Sequence, residues 1–190
     1  MIVIFFGPPG AGKGTQANLI SKIYNIPHLS TGDILRSRIL KEDEISKNLK
    51  KIMDTGDLIS DEILNNIVSN RIDEKDCSDG FILDGYPRTK DQALFLDSIL
   101  LNKSIKIDKI IDIKLNENKI VDRIIARSNI EKRDDDKVQV IKTRIQNYQS
   151  ETKPLSEYYM AKYPKMFKVI DGDQEIEKIN LDIIKLLKNE

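Results

Sequence analysis

The apolar run Ile2-Val3-Ile4-Phe5-Phe6 passes directly into Gly7-Pro8-Pro9-Gly10-Ala11-Gly12-Lys13-Gly14-Thr15, and a helical pattern begins there. Glycines gathered around one lysine, between a strand and a helix, suit polyphosphate binding. Backbone N–H groups reach closely spaced phosphate oxygens only where no side chains intervene, which Gly10, Gly12 and Gly14 allow. The first turn of the helix adds exposed donors and the positive end of its dipole. Lys13 supplies a point charge for the outer phosphates. Residues Gly10, Ala11, Gly12, Lys13, Gly14 and Thr15 are therefore expected to hold the phosphates of a nucleotide. The residue after Lys13 is Gly14, with the hydroxyl one position later at Thr15. Mg²⁺ is thus expected to be held through water and a carboxylate, and the candidate is Asp84, at the carboxyl end of a second apolar run.

A phosphate loop alone leaves the reaction open. The arginines narrow it, because phosphoryl transfer needs positioning and cationic stabilisation of the charge spread over the equatorial oxygens. The planar guanidinium fork binds phosphate in two-point fashion. Arg36 lies one turn past Ser30-Thr31-Gly32-Asp33, a group of helix-capping residues, and Arg88 lies in the turn after Phe81–Asp84. Arg123 and Arg127 share one face of a helix. Arg133 sits in a polar stretch beside Asp134, Asp135 and Asp136, and Arg144 follows on the next helix. His28 is the single histidine, and no partner cluster surrounds it in the sequence, so it is read as structural.

The elements that must carry these residues alternate. Strands are expected at Ile2–Phe6, Ile26–Leu29, Phe81–Asp84, Lys109–Leu115 and Met166–Ile170, the clearest of them as short continuous apolar runs buried on both faces. Helices are expected at Gly12–Tyr24, across Ile34–Ile72 with a break around residues 56–61, and at Thr89–Leu101, Glu117–Ala126 and Glu175–Leu187. Residues 128–137 carry no apolar period and read as a loop. Val138, Ile141, Ile145 and Tyr148 mark another helix, limited by Pro154, with a shorter one around Tyr158 and Tyr159. Alternating strands and helices give a parallel sheet with helices on both faces, an α/β fold in three layers around five strands.

The bulk properties exclude some classes. The 190 residues contain 31 basic and 31 acidic side chains, so the formal charge is zero and no basic stripe points to nucleic acid or a membrane surface. Cys77 is the one cysteine, which rules out an internal disulfide and a cysteine-rich zinc site. The N-terminus has no basic segment before a short apolar run, and no stretch approaches transmembrane length. A soluble, cytoplasmic protein is expected.

Taken in order, the phosphate loop, Ser30-Thr31-Gly32-Asp33, Asp84-Gly85-Tyr86-Pro87-Arg88-Thr89 with Gln92, Arg123 with Arg127, and Arg133 with Asp135 and Asp136 closely resemble the adenylate kinase family, over essentially the whole chain. The resemblance implies a single phosphate-loop kinase core, residues 1–190, with an AMP-binding insertion at 30–59 and a short lid at 126–137, the short lid leaving no zinc site. It implies reversible, Mg²⁺-dependent phosphoryl transfer between ATP and AMP to give two ADP, by a monomer. ATP would meet residues 10–15, Arg127 and Gln174. AMP would meet Thr31, Arg36, the backbone of Asp57, Leu58 and Ile59, then Gly85, Tyr86, Pro87, Arg88 and Gln92. Lys13, Arg88, Arg123, Arg133 and Arg144 would be the catalytic cations, with Arg133 and Arg144 clamping phosphates shared with AMP. Thr31, Thr89 and Gln92 favour adenine over pyrimidine acceptors, with a UMP/CMP kinase as the alternative. A nucleotide-binding module without transfer activity is the alternative from another class.

Overall fold

The computed structural model describes residues 1–131 and 138–188. Five strands, β1 (Ile2–Phe6), β2 (His28–Ser30), β3 (Phe81–Asp84), β4 (Lys109–Lys114) and β5 (Phe167–Asp171), form one sheet in the order β2-β3-β1-β4-β5. All its pairings are parallel. The helices are α1 (Lys13–Tyr24), α2 (Thr31–Ile39), α3 (Glu44–Thr55), α4 (Asp61–Ile72), α5 (Lys90–Asn102), α6 (Glu117–Glu131), α7 (Val138–Asn147), α8 (Lys153–Lys162) and α9 (Ile176–Lys188).

The apolar runs are continuous because both faces of the sheet are covered. Along β1 the side chains alternate between two cores. Ile2, Ile4 and Phe6 join Leu64, Val68, Leu96, Leu100, Leu155 and Tyr159 from α4, α5 and α8. Val3 and Phe5 join Ala17, Ile20, Ile179 and Ile183 from α1 and α9. The strand period of two thus sorts one pentapeptide into two hydrophobic layers. A smaller cluster of Ile120, Ile124 and Ile141 joins α6 to α7.

Strand β2 lies at His28–Ser30 and not at Ile26–Leu29, and three larger departures from the sequence expectation follow. The helical stretch after Ser30 is broken at 40–43, where Asp43 caps α3 by accepting from the Ser46 N–H at 2.8 Å. Helix α6 continues through Ser128 to Glu131, so part of the stretch read as loop is helical. Pro154 does not separate two helices with a loop. A wide π-helical turn at Tyr148–Thr152 joins α7 to α8, and Pro154 sits in the first turn of α8, where its missing N–H is not needed. Among the described residues no helix is long and apolar enough to cross a membrane.

Candidate functional site

In a parallel sheet the loops that follow the strands gather at one edge, and ligands bind in the crevice there. At the end of β1 the chain turns through Gly7–Gly12 into α1. Gly12 caps α1 in the left-handed region (φ 90°), and no side chain caps the helix. The first amides of α1 therefore face the cleft as donors for an anion. Lys13 folds back over the loop, its Nζ donating to the carbonyls of Gly7 and Pro8, both at 2.8 Å. Desolvation lowers its pKa to about 8. Asp84 opposes the shift, while Arg88, Arg144 and Arg127 add to it.

Asp84 ends β3 and is mostly buried. Burial alone would raise its carboxyl, but a hydrogen bond from His28 and the charge of Lys13 more than offset this and hold it below the ordinary carboxylate value. His28 Nε2 lies 3.2 Å from Asp84 Oδ2. The histidine therefore does have a partner, contrary to the sequence expectation. The reason is topological: β2 runs beside β3, with His28 opposite Ile82 and Ser30 opposite Asp84. A separation of 56 positions between His28 and Asp84 hides that adjacency in the sequence.

The acceptor-side wall follows from the turn after β3. Thr31 Oγ1 donates to the carbonyl of Gly85 at 2.9 Å, and Arg88 Nε donates to the same carbonyl at 2.8 Å. Position 85 must be glycine for a second reason besides its φ of 77°: a Cβ there would stand 2.8 Å from Thr31 Oγ1 and 2.9 Å from Arg88 Nη2. The carbonyl of Arg88 accepts from Thr152 Oγ1 at 3.1 Å, so the π-helical turn braces the arginine's backbone.

One cleft of about 840 Å³ brings these parts together. It is lined by residues 10–15, by Thr31, Arg36, Asp57, Leu58, Ile59, Asp84, Gly85 and Arg88, and by Arg123, Arg127, Arg144 and Gln174. Arg36 pairs with Asp33 at 2.5 Å, and Arg123 lies 3.8 Å from Asp173. Gln174 Nε2 donates to the Asp171 carbonyl at 2.9 Å. Pro87 lines a smaller adjoining cavity of about 70 Å³ with Phe6, Arg88 and Tyr148. Arg133 lies outside the described residues.

Two residues expected at the cleft are elsewhere in this conformation. Tyr86 is 1% exposed, and its hydroxyl donates to Asn65 Oδ1 at 2.5 Å, so it packs in the core. Gln92 is fully buried, and both ends of its amide are hydrogen-bonded inside the protein. Neither lines the cleft. Asp61, which accepts one of those bonds, was missed by sequence reasoning; a helix-initiating aspartate carries no signal of a distant partner.

Chemically, Lys13 and five arginines around one cleft suit two phosphate-bearing ligands placed end to end. Asp84 is an ionised carboxylate beside the phosphate loop, a donor set that fits Mg²⁺ held by one carboxylate, water and phosphate oxygens. Among the described residues no group of three or more His, Cys, Asp or Glu side chains is placed to hold a metal ion by itself.

The adenylate kinase family model matches residues 5–163 of the chain. An adenylate kinase of Rhizobium meliloti (strain 1021) is 45% identical over 195 residues, covering 98% of this chain and all of the relative. One from Brucella anthropi is 46% identical over 193 residues, with 98% of each chain covered. One from Sinorhizobium medicae (strain WSM419) is 44% identical over 195 residues, again 98% of this chain and all of the relative.

Proposed function

The chain belongs to the adenylate kinase family, and from that premise we propose how its cleft carries out reversible phosphoryl transfer between ATP and AMP to give two ADP. The observation that supports this reading most is the convergence of Lys13, Arg36, Arg88, Arg123, Arg127 and Arg144 on one cleft that runs from the phosphate loop to the Thr31–Arg88 wall.

In this reading the amides from Gly10 to Thr15 and the Lys13 ammonium hold the β- and γ-phosphates of ATP, with Arg127 and Arg123 on the same side and Gln174 bordering the base. Arg88 and Arg36 hold the AMP phosphate, while Thr31 and the backbone of residues 57–59 border its nucleoside. Arg144 stands between the two phosphates, joined by Arg133. An AMP phosphate oxygen attacks the γ-phosphorus in line. The bond from that phosphorus to the β-bridging oxygen breaks, and each adenosine leaves as ADP. No general base is needed, because the acceptor phosphate is already ionised near neutral pH. The residues orient the two phosphates and stabilise the charge between them. Asp84 would hold Mg²⁺ through water, and the ion would supply positive charge to offset that of the phosphates. Residues 30–59 and 126–137 act in this scheme as the parts that close over AMP and ATP and exclude water. The same reading has the protein work as a cytoplasmic monomer with no nucleic-acid or membrane partner.

The test supplies ATP with AMP, CMP, UMP or GMP and measures ADP formation. AMP is expected to give the fastest turnover. Faster turnover with CMP or UMP would replace this reading with a pyrimidine-nucleotide kinase, and no transfer to any acceptor would leave only a binding module.

A further inference from the structure

Gln16 follows the phosphate loop directly, in the first turn of α1, and its backbone N–H donates to the Gly12 carbonyl at 3.0 Å. It borders the cleft yet is only 1% exposed. A glutamine on the buried face of a helix must find partners for both ends of its amide. Here both are found on α9. Nε2 donates to the Ile176 carbonyl at 2.9 Å, and Oε1 accepts from Asn180 Nδ2 at 3.1 Å. A carbonyl only accepts, so these two bonds fix which way the amide faces.

Ile176 opens α9 and lines the same cleft with Gln174 and Glu175. The segment between β5 and α9 is thus held at each end. At its start the Gly172 N–H donates to the Lys114 carbonyl at 2.7 Å. A Cβ on Gly172 would stand 2.7 Å from that carbonyl oxygen and 3.5 Å from the carbonyl oxygen of Ala11, so the chain here lies close against the phosphate loop. At its end Gln16 holds Ile176. The span from the phosphate loop to residues 174–176 is therefore tied through one buried side chain, with Asn180 behind it.

We propose that Gln16 is a positioning residue for the donor nucleotide: supported by Asn180, it sets the span between the phosphate loop and the segment that borders the donor base. This rests on the reading of Gln174 given above. A displaced segment loses the base and spares the phosphates, whereas a general loss of stability would weaken both.

The experiment separates base from phosphates. Gln16→Met keeps the length and burial of the side chain and the backbone bond to Gly12, but makes neither amide bond. Asn180→Leu lies outside the cleft and meets the donor only through Gln16. Both enzymes are compared with wild type for the KM of ATP, for the preference for ATP over GTP, and for the Ki of inorganic tripolyphosphate competing with ATP. The KM for ATP should rise about tenfold in Q16M and about threefold in N180L, the scale of a hydrogen bond lost or weakened. The preference for ATP over GTP should narrow in step. The Ki of tripolyphosphate and the KM for AMP should stay within about twofold, because neither ligand reaches the base wall. Q16M with wild-type constants for ATP overturns the proposal. So does an equal loss for ATP and tripolyphosphate, which would put the effect on the phosphate loop. Should Q16M fail to fold, N180L decides by the same measures, and wild-type constants there overturn the proposal. A wild-type enzyme that uses GTP as readily as ATP would sink the reading of residues 174–176 as a base wall, and one that makes no ADP would sink the activity itself. An unchanged preference in both variants, against a wild type that does discriminate, sinks the positioning role alone.

Discussion

Lys13 is held where two demands oppose each other. Its Nζ is tied to the carbonyls of Gly7 and Pro8, yet loss of water and the neighbouring arginines lower its pKa to about 8. In the ligand-free protein its charge is therefore present below pH 8 and lost above it. Bound phosphates are anions at short range and must raise that value again. The kcat/KM for ATP reports the free enzyme and kcat the complex. The alkaline fall of kcat/KM should thus begin near pH 8, with the fall of kcat displaced to higher pH. A pH–rate series on wild type and Lys13→Arg checks this. The arginine variant should lose the alkaline limb, and a limb that survives would mean another group titrates. At this scale the sequence was uneven in what it disclosed. Gly10 to Thr15 were legible because a phosphate loop is contiguous and its chemistry local. Gln92 and Tyr86 were expected at the cleft, and their burial shows why expectation ended there. The partners that hold them, Asp61 and Asn65, come from α4, and nothing in the spacing of either segment announces the meeting.

The link between α2 and α3 is made by Asp43. Its Oδ1 accepts from the N–H and from the hydroxyl of Ser46, both at 2.8 Å, and its two oxygens take the Arg38 guanidinium at 3.0 and 2.7 Å. The Arg38 carbonyl lies at the same 2.8 Å from Ser46 Oγ, so the single hydroxyl proton is shared between it and Asp43. One carboxylate thus starts α3 and ties it to the last turn of α2, and a new N-cap inside the stretch read as continuous marks the break. These bonds, the Arg38 pair foremost, hold the Asp43 carboxyl far below its ordinary value of 3.8. A depressed folded value means that the stabilisation is present above the unfolded pKa and fades as pH falls below it. Asp43→Ala should lower the melting temperature at pH 7, and the gap from wild type should narrow as pH drops below about 4. Amide exchange should speed up first in α3, leaving β1 and β3 protected. Equal acceleration in the central strands would mean that the cap supports the whole fold and not this element. The strands were legible element by element because a strand covered on both faces reads as an unbroken apolar run. The π-helical turn at Tyr148–Thr152 was not, because Pro154 signals a helix boundary whether the chain stops there or widens by one residue.

Across the whole molecule, the two halves of the cleft are built by segments far apart in sequence, and the parallel sheet order brings them together. The phosphate loop follows β1, the Asp84–Arg88 turn follows β3, and β1 and β3 are neighbours in register from Ile2–Phe81 to Phe5–Asp84. The α/β class was readable from the alternation of elements, but this adjacency was not, because strand order depends on which connections cross over. The adjacency has a measurable consequence. If ATP and AMP occupy one continuous cleft, two adenosines joined through five phosphates should bind across both halves and gain from losing translational freedom only once. A ligand that binds only the folded state at about a thousand times its Kd stabilises by about 4 kcal/mol. For a domain of this size that raises Tm by roughly 8–16 °C at about 2–4 °C per kcal/mol. ATP or AMP alone at the same concentration, binding more weakly, should raise it by much less. Arg88→Ala should keep its ligand-free melting temperature within a few degrees, because the arginine lines the cleft and is not part of either core. It should also keep the shift produced by ATP and lose most of the extra shift produced by the linked compound. Thermal denaturation with each ligand, on both proteins, decides the matter. A linked compound that stabilises the wild type no more than ATP does would mean that the Arg88 wall and the phosphate loop do not serve one ligand-binding cleft, however close the sheet brings them.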